Sequence, residues 1–290
     1  MRRTLFAVIL SALLAGPAAA GAETVVAPIT PWQASTEGGL CRVERKFELG
    51  GQPHLLILEQ TAPGSAFGMA VASPLLAELD PAQPILLGFL SGDPGLERRA
   101  RVEPNRQFGK VAIVTNLSFF PPAGEPHARI ETAVLAEMDR VTVTQGNTLV
   151  NFASGSLGEA AAALNGCTAQ MLRSWGLDPE VQYGLQSAAF PEQEAKLARE
   201  LRKAYPPRAY RALQNGPLEV AAIVDPSGVA TGCKLIVSSS FPDLDAAACK
   251  AISKARYRPA RDAEGDPVAS YWKTRITYAL SETDPVLSRP

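Results

Sequence analysis

The pattern of apolar and polar positions is clearest in the last quarter of the chain. Residues 218–224 form an almost continuous apolar run of strand length, and residues 233–237 form a second run that alternates. Asp-Pro-Ser-Gly at 225–228 stands between the two runs. Proline presets φ and glycine tolerates positive φ, so this tetrapeptide favours a tight turn. The pattern therefore predicts a β-hairpin.

Helical spacing follows the hairpin. Apolar residues recur at intervals of three and four between 244 and 255, with Asp243 as the expected N-cap. Lys250 and Lys254 stand near the C-terminal end, where the helix dipole favours cations. A last apolar-rich strand is predicted over 270–280. The predicted order is hairpin, helix, strand.

The longer first part of the chain is typical of a β-rich domain. Six strand-like runs are separated by segments rich in glycine and proline, which predicts a sandwich or a small barrel. These runs are residues 41–49, 54–60, 67–72, 85–90, 110–115 and 141–144. Residues 130–138 are ambiguous and are compatible with one helix.

Two helices are predicted after these strands. Ser156 and Glu159 have the spacing of a capping box, apolar residues line one face as far as Trp175, and Gly176 is placed to end the helix. Cys167 falls on that apolar face. A second helix, 191–204, is acidic at its start and basic at its end, and it is the expected connector between two domains.

These patterns predict an α+β protein with a β-rich N-terminal domain, sandwich or barrel-like, that ends in a helix. Its expected parts are an N-terminal segment at 1–22, the β-rich domain at 23–180, a helical connector at 181–204 and a small domain at 205–281. The first segment has a charged start, a short apolar core and Ala-x-Ala sequences, so it is predicted to be a signal peptide that is removed on export to the periplasm. An uncleaved inner-membrane anchor is the alternative, although the apolar core breaks at Gly16 and Pro17 before the roughly 20 residues that a span requires.

Charge excludes one class of partner. The chain has 28 basic and 29 acidic side chains, and from Leu201 onward 13 basic residues face 9 acidic ones. This small excess of basic over acidic residues is far below the strongly basic composition that nucleic-acid binding requires, so no nucleic-acid partner is expected.

Short motifs in the last quarter of the chain resemble the C-terminal domain of the TonB family of energy transducers. In chain order they are Tyr-Pro-x-x-Ala from 205, Val-x-x-x-Val-Asp-x-x-Gly-Val from 220, Ser-Ser before Leu-Asp-x-Ala-Ala at 244–248, Ala-Arg-Tyr-x-Pro-Ala from 255 and Gly-x-Pro-Val from 265. The sequence departs from the family at Ser240, where the family usually has glycine. No Pro-rich spacer of the kind that the family uses to cross the periplasm is evident before the domain.

The resemblance implies an antiparallel three-stranded sheet with helices and an exposed edge at the last strand. The family adds to this edge the TonB-box segment of an outer-membrane receptor, which is β-augmentation in physical terms. Trp272, Ile276 and Tyr278 are expected to face the core. An ExbB/ExbD-type inner-membrane complex would be a further partner of an anchored chain, and a homodimer is left open. The implied partner-binding residues are Tyr205, Pro206, Pro207, Arg208, Tyr271, Trp272, Lys273, Thr274, Arg275 and Ile276.

Four cysteines in an exported chain are expected to be paired, because the periplasm is oxidising. Sequence alone allows three connectivities. The resemblance brings Cys233, in the second hairpin strand, close to Cys249, in the following helix. That pairing leaves Cys41 to bond Cys167 and keeps each bridge within one domain.

The sequence contains no catalytic or metal-binding motif with a recognisable spacing. His54 lies inside a predicted strand and His127 in a Pro-rich loop, and neither has a partner motif. The cysteines lack the CxxC spacing of a zinc site. Residues 238–240 are three serines at a strand end before a helix, where turn chemistry explains them. No enzyme activity and no cofactor are predicted.

The predicted function is that of a periplasmic TonB-like protein in outer-membrane transport that binds its partner by strand addition. One alternative is a periplasmic interaction or structural module that has kept the fold without energy transduction. The other is an enzyme whose site lies in the first domain, about which the sequence gives no indication.

Overall fold

The structure is a computed structural model, and it describes residues 24–36, 39–119, 129–280 and 287–288. The predicted signal peptide and His127 lie outside the described residues. The fold is α+β, with a large curled sheet in the first part of the chain and a small antiparallel sheet with helices in the last part. No helix in the described ranges is long and apolar enough to span a bilayer.

The helices and strands are numbered here in chain order. The strands are β1 (Val25–Pro28), β2 (Gln33–Ser35), β3 (Cys41–Leu49), β4 (Gln52–Gln60), β5 (Phe67–Ser73), β6 (Ile85–Gly88), β7 (Leu96–Arg98), β8 (Arg101–Asn105), β9 (Gly109–Leu117), β10 (Val141–Gln145), β11 (Thr148–Phe152), β12 (Phe190–Pro191), β13 (Gly216–Val224), β14 (Ala230–Val237), β15 (Tyr257–Arg258), β16 (Ala260–Arg261), β17 (Pro267–Val268), β18 (Ser270–Tyr278) and β19 (Leu287–Ser288). The α-helices are α1 (Thr132–Ala136), α2 (Leu157–Ser174), α3 (Pro179–Tyr183), α4 (Glu194–Lys203), α5 (Pro207–Arg211) and α6 (Pro242–Ile252).

The first sheet has eleven strands in the order β7-β6-β10-β11-β1-β3-β4-β5-β9-β8, with β2 beside β3. All six predicted strands are present. Alternate residues of β4 are buried, from His54 to Gln60, as expected for a sheet with one face on a core. The strands that the sequence analysis missed are short, or they pair with strands distant in sequence, as β1 does in parallel with β11.

Helix α2 covers the core of this sheet, and its buried face includes Leu157, Ala160 and Leu164. The predicted capping box is wrong: Ser156 is the N-cap, but its hydroxyl donates to the carbonyl of Ala136 instead of accepting from the helix. The reason is that α1 packs against the start of α2. A Cβ at Gly158 would lie 2.9 Å from the Cα of Ala136, so glycine permits this approach.

The predicted stop at Gly176 is confirmed. Gly176 has φ of +79°, its N–H donates to the carbonyl of Arg173, and the N–H of Leu177 donates to the carbonyl of Leu172. These two bonds form a Schellman motif, which satisfies the last carbonyls of the helix.

The second sheet has the order β14-β13-β18-β19, and helices α4 and α6 pack on one of its faces. The hairpin is confirmed, with β13 and β14 antiparallel around the turn at 225–228. Asp225 accepts hydrogen bonds from the N–H groups of Ser227 and Val229, at 2.9 and 3.0 Å, and the hydroxyl of Ser227 lowers the pKa of this carboxyl. Gly228 has φ of +79°, and a Cβ there would lie 2.1 Å from the carbonyl oxygen of Tyr257. The turn therefore requires glycine.

Helix α6 begins differently from the prediction. Phe241 is the N-cap and Pro242 the first helical residue, so Asp243 lies in the first turn and does not cap the helix. Asp245 is buried instead and accepts from the backbone N–H and the hydroxyl of Ser239, at 3.0 and 2.8 Å. Ser238 also donates to Asp245, at 2.6 Å. The three serines thus connect strand β14 to α6 through turn chemistry: Ser238 and Ser239 donate to Asp245, an acid that was not singled out from the sequence, and the N–H of Ser240 donates to the hydroxyl of Ser238.

Residues 181–204, predicted as a connector between the two domains, also pack against the second sheet. The predicted helix starts at Glu194 and not at Pro191, because Phe190 and Pro191 pair with β15 as strand β12. Leu197 and Leu201 of α4 are buried in the same core cluster as the helix face of the second sheet. Helix α4 therefore contributes to the core of the second domain.

The other face of the second sheet packs against the first domain. Ala221, Ile223, Ile236 and Tyr271 form a buried cluster with residues of the first domain. From the first domain this cluster includes Ala62, Leu172 and Leu177, with Trp175 and Tyr183 at its margin. Both faces of the second sheet are therefore covered.

Candidate partner-binding site

The candidate site is the outer edge of β18. This strand pairs along its whole length with β13, from Gly216 opposite Tyr278 to Val224 opposite Ser270. On its other side, among the described residues, it pairs only with β19, where Arg275 lies opposite Ser288 and Ile276 opposite Leu287. The outer edge of β18 is thus covered by the chain's own strand at two positions.

One face of β18 belongs to the helix side of the sheet. Trp272, Ile276 and Tyr278 are buried in the core with α4 and α6, as predicted. The Trp272 ring lies 5.8 Å from the ring of Tyr257. Thr274 is also buried, with 3% of its surface exposed. These residues fix the position of the strand, and their side chains are not available to a partner.

The opposite face of β18 is turned toward the first domain. The Tyr271 ring packs edge-on against Trp175 with centroids 5.2 Å apart, and its hydroxyl donates to the carbonyl of Pro63 at 3.3 Å. Lys273 donates from Nζ to the hydroxyl of Thr61 at 3.1 Å. Burial lowers the pKa of Lys273, and the nearby Glu219 carboxylate opposes that shift in part. Of this face, only Arg275 is exposed.

The second predicted segment, 205–208, lies near the C-terminal end of β18. The Tyr205 ring packs against that of Tyr278 with centroids 5.0 Å apart, and its hydroxyl donates to the carbonyl of Gln214. Pro206 is the N-cap of α5 and Pro207 its first residue, while Arg208 is exposed. The structure therefore places Tyr205 against Tyr278, at the end of β18 beyond the other predicted segment, 271–276.

Both predicted disulfides are present. Cys41 of β3 is bonded to Cys167 of α2, and Cys233 of β14 is bonded to Cys249 of α6. The first bridge joins the large sheet to the helix that covers it, and the second joins the edge of the small sheet to its helix. Each bridge therefore fixes a helix to its own sheet.

In the part of the chain that the structure describes, few groups outside the edge of β18 are arranged as a catalytic or metal-binding site. His54 lies 2.8 Å from the hydroxyl of Ser73 through Nδ1, but both side chains are buried and contact the core, which leaves a substrate no access. Burial also lowers the pKa of His54. No group of three or more potential metal ligands occurs among the described residues.

Three residues of the first domain that contact β18 were not predicted from the sequence: Thr61, Pro63 and Trp175. One sequence feature does indicate that β18 and its neighbours have such contacts: residues 220–224 of β13 are apolar without alternation. A continuous apolar run indicates a strand buried on both faces, and the second face needs a cover.

Comparison with protein families agrees with this geometry. Residues 202–280 match the family model of the Gram-negative bacterial TonB protein C-terminal. This match begins at the end of α4 and ends beyond β18, so it covers β13, β14 and β18 with helices α5 and α6, but only the last two residues of α4 and not β19. The last quarter of the chain is therefore a domain of the TonB C-terminal type, which is not an enzymatic family. No curated protein and no solved structure matches the chain.

Proposed function

We propose that this chain is a periplasmic TonB-like protein whose last domain binds a partner segment by strand addition, in transport across the outer membrane. The family match and the predicted signal peptide support this function and this location. The alternative is a chain that is anchored in the inner membrane and joined to an ExbB/ExbD-type complex. Determining the N-terminus of the mature protein would distinguish these two locations.

The observation that carries the proposal is the outer edge of β18 from Trp272 to Thr274. Within the described ranges no strand pairs with these three residues on that side. Unpaired N–H and C=O groups on a sheet edge can pair with an incoming strand, and this pairing provides most of the affinity in β-augmentation. The incoming segment is proposed to be the TonB box of an outer-membrane receptor.

Strand β19 limits where such a segment can bind. It occupies the edge at Arg275 and Ile276, so a partner must either stop at Thr274 or displace β19. The described strand β19 has two residues, so few hydrogen bonds within the described ranges oppose its displacement. We expect a chain shortened by residues 281–290 to bind a TonB-box peptide more tightly than the full chain.

Calorimetric titration of TonB-box peptides from the same cell into the full chain tests the proposal. Lys273→Pro and Thr274→Pro should be compared, because alternate residues of a strand point their N–H groups to opposite sides. One variant breaks the ladder to β13 and unfolds the sheet. The other removes an outward donor, and it should stay folded by circular dichroism and lose peptide binding. Arg275→Ala should weaken binding only modestly, and in a salt-dependent way.

A second candidate function is favoured by the covered face of the sheet. Tyr271 and Lys273 contact the first domain, so the last domain is packed on a neighbour and its sheet face is not offered to a partner. A periplasmic interaction or structural module without energy transduction fits this arrangement. Absence of binding by every receptor peptide, with both the full and the shortened chain, would remove the transport function and leave this module.

A further inference from the structure

A groove lies on the helix side of the last domain, away from the strand edge. It runs between α4 and α6 and has a volume of about 410 Å³. Leu197, Ala204, Ala251 and Ala255 form its apolar floor. This size falls in the range of about 300 to 1,000 Å³ that is usual for ligand-binding clefts.

The rim of the groove is cationic. Five basic side chains line it, against the carboxylates of Glu192 and Glu200. Glu200 is already paired, since its carboxylate lies 3.1 Å from Nζ of Lys203. The five are Lys196 and Lys203 on α4 and Lys250, Lys254 and Arg256 on the side of α6.

Three of these lysines have no charge partner in the part of the chain that the structure describes. Lys196, Lys250 and Lys254 are exposed, and none of them forms an ion pair with another described residue. They stand on both sides of the groove, because Lys196 belongs to α4 while Lys250 and Lys254 belong to α6 and the residues after it. Like charges facing each other across a cleft attract an anion into it.

We propose that this groove binds an acidic, amphipathic peptide segment of a partner protein. The apolar floor favours a peptide over a polysaccharide, because leucine-sized side chains gain from burial there and sugar hydroxyls do not. The groove favours a peptide over a membrane, because its apolar side chains lie at the floor between charged rims and do not form the projecting apolar helix face that membrane binding uses.

The test uses fluorescence anisotropy with the full chain and a labelled peptide, Asp-Leu-Ala-Asp-Leu-Ala. Two control peptides separate the parts of the proposal: Asp-Ser-Ser-Asp-Ser-Ser keeps the charge without the apolar side chains, and Lys-Leu-Ala-Lys-Leu-Ala reverses the charge. The acidic leucine peptide should bind, with an affinity that falls as salt rises, and both controls should bind at least about tenfold more weakly.

Matched variants locate the binding. Lys196→Glu combined with Lys254→Glu should weaken the acidic peptide by about tenfold or more. The matched comparison for a single charge reversal is Lys196→Glu alone against Arg199→Glu, an exposed residue of α4 that does not line the groove; Arg199→Glu should have little effect. Ala251→Leu should fill the floor and reduce binding, whereas Ala195→Leu on the exposed side of α4 should not.

Three results would overturn the proposal. The first is absence of binding by the acidic leucine peptide to the folded chain. The second is equal binding of the serine peptide, or equal loss in the Arg199→Glu variant, which would indicate diffuse attraction to a basic surface. The third is that dextran sulfate binds and the double lysine variant loses this binding, while the acidic leucine peptide does not bind. The occupant of the groove would then be an anionic polymer. Because the groove lies on the opposite side of the domain core from the first domain, Lys273→Pro and Thr274→Pro test the strand edge separately.

Discussion

Lys273 donates a hydrogen bond from Nζ to the hydroxyl of Thr61 at 3.1 Å, and this contact joins the edge strand of the last domain to the first domain. A strand that the sequence indicates as a docking edge is therefore also part of an interface within the chain. Among the described residues of β18, the outer backbone edge from Trp272 to Thr274 and the exposed side chain of Arg275 are left for a partner.

Replacing Lys273 by methionine should leave the free energy of unfolding at pH 7 unchanged within about 1 kcal/mol, or raise it, because the buried ammonium is removed while its stem is kept. Burial lowers the pKa of Lys273 in the folded state. The unfolded chain therefore binds more protons between that pKa and about 10.5, and the lysine contributes stability as pH rises through this window. Urea unfolding at several pH values should show this contribution in the unchanged chain and not in the variant. The control is Arg275→Met, an exposed residue of the same strand, which should stay within about 0.5 kcal/mol of the unchanged chain.

Tyr278 is buried, and its hydroxyl has no hydrogen-bond partner among the described residues. Tyr278→Phe should raise the unfolding free energy by about 1 kcal/mol at pH 7, since an unsatisfied polar group leaves the core. Burial raises the pKa of Tyr278 to about 12. The free energy of unfolding should thus fall as pH rises from about 10, where the tyrosine of the unfolded chain ionises. Tyr278→Phe should lose less of its unfolding free energy over this pH range than the unchanged chain.

Tyr257→Phe is the matched control for that measurement. The hydroxyl of Tyr257 donates to the carbonyl of Ile252 at 3.0 Å, so its removal should lower stability by about 1 kcal/mol. Equal effects of the two substitutions at pH 7 would contradict the assignment of Tyr278 as the unsatisfied group.

His54 should make the first domain sensitive to acid. Burial lowers the pKa of His54, so the unfolded chain takes up a proton before the folded chain does. Stability is full above about pH 6.5 and falls as pH drops from there toward the folded-state pKa, by up to about 1.4 kcal/mol per pH unit. Chemical denaturation between pH 5 and 8 should show this slope. The difference in slope between the unchanged chain and His54→Leu measures the proton that His54 takes up when the chain unfolds. Two equal slopes would refute the role of His54.

Ser240 should be a site where glycine stabilises the chain. Its backbone has φ of +71°, and its side chain is exposed. A residue with a Cβ in this left-handed region costs about 1 to 2 kcal/mol, which glycine avoids at the expense of some unfolded-state entropy. Ser240→Gly should therefore raise the unfolding free energy by about 0.5 to 1 kcal/mol. Ser240→Ala keeps the Cβ and should bring no gain; a gain as large as that of glycine would show that strain is not the cause.

The sequence by itself determined the features that depend on neighbouring residues. The hairpin turn at 225–228 needs only an aspartate that accepts from its own next residues and a glycine with positive φ. The stop of α2 at Gly176 is local in the same way. The order of hairpin, helix and last strand, and the burial of Trp272, Ile276 and Tyr278, follow from spacing along the chain. The two disulfides, by contrast, were anticipated only with the help of the resemblance.

Tertiary structure decided everything that depends on which segments meet. The capping box of Ser156 failed because α1, only five residues long, packs against the start of α2, and no pattern in α2 carries that information. Strand β19 covers part of the candidate edge because a segment beyond the domain folds back on it. Thr61 became a partner of Lys273 although more than two hundred residues separate them in sequence. Contacts of this kind result from packing two apolar surfaces together, and an apolar run shows that a strand face must be covered without showing which segment covers it.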